Sequence, residues 1–77
     1  MSKLIEGYGT QRGSDIHRDG MYLELVDENT GDLVAEVFYS DTTHMMTISI
    51  FQQELPLHVV EILIKRAKHD LPPTNVA

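Results

Sequence analysis

The sequence predicts an α+β fold: a three-stranded antiparallel meander, with room for a fourth N-terminal edge strand, and one C-terminal helix packed on one face. Three observations lead there. The runs Met21–Val26 and Leu33–Ser40 alternate in side-chain character on either side of the polar stretch Asp27–Asp32. A second polar stretch, Asp41–His44, introduces a third run that ends at Phe51. From Pro56 onward the apolar residues change from a spacing of two to helical spacing. With 77 residues, the chain is read as one small domain covering 1–77.

At the start, Leu4, Ile5 and Tyr8 suit a short edge strand or extended arm from Lys3 to Tyr8. Beyond it, Gly9, Gly13, Ser14, Asp15, Asp19 and Gly20 read as turns, so residues 1–19 are expected to form a strand or arm followed by loop. Gly7–Gly13 carries glycines in the manner of a phosphate loop. It lacks the closing Lys-Ser/Thr pair, and no helical pattern follows it.

Gly31 sets the first hairpin. It alone in its turn enters the left-handed backbone region without steric cost, which predicts the three-residue loop Asn29-Thr30-Gly31 with Glu28 opposite Asp32. Counting outward pairs Leu25 with Ala35, Leu23 with Val37, Met21 with Tyr39, Val26 with Val34 and Tyr22 with Phe38. A slip of one residue would mix the two faces, so the pattern selects one register. For the second hairpin, Ser40 opposite Met45 pairs Tyr39 with Met46, Val37 with Ile48 and Ala35 with Ile50. Face one is then apolar throughout: Met21, Leu23, Leu25, Ala35, Val37, Tyr39, Met46, Ile48 and Ile50. Face two is mixed: Tyr22, Glu24, Val26, Val34, Glu36, Phe38, Met45, Thr47, Ser49 and Phe51.

The helix is expected from about Pro56 to His69 or Asp70, stopping before Pro72-Pro73. Leu57, Val60, Leu63, Ile64, Ala67 and Leu71 make the stripe that covers face one. Val59 flanks that stripe and Ile62 lies outside it. About 15 helical residues and about 7 strand residues both span roughly 22 Å, so the lid matches its sheet. Residues 72–77 are expected to be a disordered tail.

Composition narrows the functional classes. The net charge of −6 disfavours nonspecific binding to nucleic acid or anionic membrane, which requires concentrated Lys and Arg. No apolar run approaches the length of a membrane span or a signal peptide, and there is no cysteine, so a soluble cytoplasmic protein without disulfides is expected.

Candidate sites follow from face two. Glu24 and Glu36 fall opposite each other, and like charges at that spacing repel. The pair invites a cation, a basic partner residue or a shared proton; the alternatives are solvated carboxylates that lean apart, or Arg12 or Arg18 lying across them. The four histidines, at 17, 44, 58 and 69, are scattered over different elements, and neither Asp15-His17-Asp19 nor His58 with Glu61 completes a ligand set. The start Asp27-x-Asn29-x-Gly31 departs from a calcium loop, since its glycine comes one position early and Phe38 replaces the closing glutamate. The serines lack a nucleophile setting.

The order strand-strand-strand-helix resembles the later part of double-stranded RNA-binding domains. The resemblance is one of topology, and it implies an α+β packing without implying RNA as a ligand for this acidic chain. Expected is a non-enzymatic protein-interaction module with no cofactor, no metal, and neither nucleic acid nor membrane as partner. Its surface would comprise Tyr22, Glu24, Val26, Val34, Glu36, Phe38, Met45 and Phe51 on face two with Val59 and Ile62 at the helix edge, and its partner would be a second copy. Residues 1–19, through Leu4, Ile5, Tyr8 and Ile16, are the competing cover for face two. The alternative function is an acidic inhibitor or immunity-type protein that covers a basic site through Glu24, Glu36, Asp41 and Glu54. A metal- or carboxylate-dependent enzyme is the reading from a third class.

Overall fold

The computed structural model describes residues 2–71; the tail expected at 72–77 lies outside the described residues. The fold is α+β, with an antiparallel sheet and one C-terminal helix. The sheet has five strands, not three or four, in the simple order β1-β2-β3-β4-β5. They are β1 Ser2–Ile5, β2 Tyr8–Asp15, β3 Gly20–Asp27, β4 Leu33–Ser40 and β5 Met46–Ile50, followed by α1 Leu57–Asp70.

The expected loop after Tyr8 is therefore an eight-residue strand, and residues 2–15 extend the sheet as two strands rather than lying across face two. β2 carries few apolar side chains because its neighbours fill the space above its glycines. A Cβ at Gly13 would lie 2.6 Å from Cζ of Tyr22, so an aromatic ring lies where a side chain would stand; at Gly20, the first residue of β3, a Cβ would meet the Tyr39 carbonyl oxygen and the Phe38 ring.

Three hairpins share one turn design. Each has a four-residue loop whose last residue is in the left-handed region: Asp19 (φ 52°), Gly31 (φ 80°) and His44 (φ 61°). Before each loop a side-chain oxygen accepts from loop amides. Asp15 Oδ1 takes those of His17 and Arg18 at 3.0 and 3.2 Å, Asp27 Oδ1 that of Asn29 at 2.8 Å, and Ser40 Oγ those of Thr42 and Thr43 at 3.2 and 3.1 Å.

The expected loop at Gly31 is thus one residue short, since Asp27 and not Glu28 lies opposite Asp32. The added residue is absorbed by a bulge: Val26 pairs with Leu33, and Leu25 again pairs with Ala35. Val34 is the residue left over. It is buried within the core, so it does not belong to face two as expected. Every other pairing in the two hairpins stands as expected, including Glu24 with Glu36 and Val37 with Ile48.

The helix begins after Pro56, whose carbonyl accepts the amides of Val59 and Val60 at 3.1 and 3.3 Å. Its buried row is Val59, Leu63 and Ala67, continued by Leu71, whereas Leu57 is 73% exposed. The helix is turned from the expected stripe because the sheet is wider on the β1 side. There Leu4, Ile5 and Tyr8 join the core, and Arg12 Nη1 donates to the carbonyl of Asp70 at 3.4 Å near the negative end of the helix. Among the described residues, no helix is long and apolar enough to cross a membrane.

Candidate interaction surface

Face two holds a charge cluster organised by one loop residue. The β2–β3 turn brings Arg18 back over the sheet, where its guanidinium lies 4.1 Å from the centre of the Phe38 ring. Nη1 and Nη2 donate to the two carboxylate oxygens of Glu36 at 3.2 and 2.9 Å, and Nε donates to Asp15 Oδ2 at 2.6 Å. The bidentate geometry is the one a planar guanidinium favours. Arg18 is thus the cover that the opposed glutamates call for, and Arg12 is not, since it lies on the other face toward Leu23.

The cluster shifts its carboxyl groups in opposite directions. The Arg18 hydrogen bond holds Asp15 below the usual carboxylate range against some loss of solvent. Loss of solvent pushes Glu24 up, the charge of Glu36 adds to this, and Arg18 partly opposes it. Each guanidinium nitrogen of Arg18 donates to a carboxylate of the cluster, so the arrangement explains how Glu36 is tolerated beside Glu24 without calling for an outside cation. Among the described residues, no three His, Asp or Glu side chains converge as a metal would require.

The residues expected to form the surface divide into three groups. Tyr22, Glu24, Val26, Glu36 and Phe38 are half-buried on face two, packed over glycines or drawn into the Arg18 cluster. Met45 and Phe51 stay exposed at the two ends of β5. Val34 and Val59 are core residues at 2% and 1% exposure, so neither can contact a partner, and Ile62 is half-buried beside the helix's basic end. Ile16, an expected cover for face two, points away at 81% exposure. Of the acidic contacts considered for an inhibitor, Glu36 is held by Arg18, while Asp41 and Glu54 lie beyond opposite ends of β5.

A different surface emerges on face one. The helix covers β1 to β4 and stops short of β5, leaving Ile48 and Ile50 40% and 50% exposed. Between strand and helix runs a groove of about 190 Å³ lined by Val37, Met46, Thr47, Ile48, Ile64, Ala67 and Lys68. β5 is exposed on its other face too, through Thr47 and Ser49, so Met46 is the single residue of the strand that is even half-buried.

The strand's outer rim completes the surface. The bonds from Ser40 N to Met45 O and from Phe51 N to Val34 O fix which β5 residues turn their backbone toward β4. By antiparallel alternation, Met46, Ile48 and Ile50 turn their N–H and C=O groups outward, away from the sheet. The stretch Met45–Phe51 contains no charge, proline or glycine. That composition is the sequence signal that could have marked an unguarded edge. No protein-family model, curated protein or solved structure matches this chain.

Proposed function

We propose that the chain is a non-enzymatic protein-interaction module, acting in the cytoplasm, whose working surface is the β5 edge with the groove between β5 and the helix. The carrying observation is that β5 is exposed on both faces and along its outer rim while bearing no charged residue from Met45 to Phe51. Edge strands of soluble proteins are ordinarily guarded by charge, proline, bulges or a covering element. A strand with none of these suits the addition of another strand, in which main-chain hydrogen bonds give affinity and flanking pockets select side chains. The groove beside Ile64 supplies such a pocket. Face two supports the function less well, because its aromatic rings and its charges find partners within the same sheet.

Site-specific photo-crosslinking in cells tests the assignment. A photoreactive residue at position 64 or 48 should give protein adducts, and one at position 22 should not. Adducts from position 22 with none from 48 or 64 would move the working surface to face two.

A further inference from the structure

We infer that the occupant of the β5 edge is a second copy of this chain, joined antiparallel about a two-fold axis through Ile48 to make one continuous sheet of twice five strands. This rests on the reading of β5 as the working edge. Three features carry it, and the first is backbone geometry. The outward-facing residues are Met46, Ile48 and Ile50, so an axis at Ile48 sets outward-facing residue against outward-facing residue. Ile48 exchanges two hydrogen bonds with Ile48 of the second copy, and Met46 does the same with Ile50 on either side.

The second feature is the side-chain pattern, which reads nearly the same in both directions about Ile48. Thr47 meets Ser49 of the second copy, Met46 meets Ile50, and Met45 meets Phe51, so hydroxyl faces hydroxyl and apolar faces apolar. A two-fold contact brings the same patch of both copies together, so only a self-complementary patch satisfies it. The third feature is charge. Two copies that each carry −6 repel at long range, yet the Met45–Phe51 stretch that would meet is uncharged. An axis normal to the sheet also keeps both helices on one side, so the groove beside Ile64 in each copy borders the same shared face.

The test combines mass with register. Sedimentation equilibrium of the wild-type chain should show the 8.7 kDa protein doubling in mass as concentration rises. Ile48→Pro removes only an outward-facing N–H, which an edge strand tolerates, and should give a folded monomer throughout. Ile48→Lys is the second variant should proline disturb the strand, with far-UV circular dichroism as the fold control for both. The wild-type chain has no cysteine, so Ile48→Cys, with oxidised glutathione as oxidant, should cross-link two copies, because paired Cα atoms there stand about 5.5 Å apart. Thr47→Cys, offset from its own symmetry mate, should not.

A dimer that persists in Ile48→Lys, or that cross-links at 47 and not at 48, overturns both this inference and the assignment of the edge. A wild-type monomer that binds a synthetic Met45–Phe51 peptide overturns self-pairing alone and leaves the edge as a site for another protein's strand. A monomer that binds no such peptide overturns both.

Discussion

The two edges of the sheet meet the same physical problem in opposite ways. β1 is a four-residue strand with a bulge between Lys3 and Ile5, a Lys3–Glu6 ion pair at 3.6 Å, and apolar residues turned into the core beneath the helix. β5 has no bulge and no charge, and the helix does not cover it. An unpaired row of backbone groups is a template for another chain, and β1 carries the usual deterrents. Exposure at β5 is therefore not a general weakness of a small domain. The same chain guards one edge and leaves the other open.

Variants on either side of this divide should differ in cost. Leu63 is fully buried over the β1–β4 part of the sheet and Ile64 borders the open groove. Leu63→Ala should lower unfolding free energy by about 2–5 kcal/mol, whereas Ile64→Ala should lose about 1 kcal/mol or less, both read by urea denaturation of dilute protein. Equal losses would mean that the helix covers both halves alike.

Next come additions of bulk. Gly20→Val places a side chain against the Tyr39 carbonyl oxygen and the Phe38 ring and should cost about 1–3 kcal/mol, since neither the backbone nor the ring has space to give. Ser49→Val adds bulk to the exposed strand and should change monomer stability by about 0.5 kcal/mol or less in either direction.

The smallest effect concerns Glu24 and depends on pH. The folded state holds its carboxyl above the ordinary value, chiefly through loss of solvent. Ionisation is therefore disfavoured on folding, a penalty absent below the ordinary value of 4.5 and established as pH rises through the folded value. Glu24→Gln should exceed the wild type at neutral pH by a few tenths of a kcal/mol, on the order of a screened cross-strand pair. The two should converge below pH 4.5. A constant difference across that range would exclude the carboxyl as its source.

The parts of this fold legible in the sequence are those where side chains alternate over a buried face. Both registers of β3, β4 and β5 followed from such alternation and from polar turns, and the helix from Pro56 and its spacing. β2 was not legible, because its sequence is glycine-rich and polar, with Gly13 covered by the Tyr22 ring of the next strand, and it leaves no apolar period of its own. The helix offers apolar residues at Leu57, Val59, Val60, Ile62, Leu63 and Ile64, nearly all around its start. Which of them are buried depends on where the sheet lies, and β2, which places the expected edge strand one position farther out, moves its centre. Val59, at the edge of the helical stripe in sequence, is core for that reason, and the same rotation opens the groove beside Ile64. Arg18 was foreseen as one of two cations that could answer the facing glutamates. Its hold on Asp15 depends on the β2–β3 turn, which the glycine-rich sequence does not announce as a hairpin.

Amide hydrogen exchange along β5, followed by NMR at low and high protein concentration, decides whether this edge pairs with a second copy. The N–H of Thr47 and Ser49, turned toward β4, should be protected at both concentrations. Those of Met46, Ile48 and Ile50 should exchange rapidly in dilute protein and become protected as concentration rises, with Ile48 at the centre. Fast exchange at these three positions at every concentration, or protection that appears instead on β1, would contradict the account.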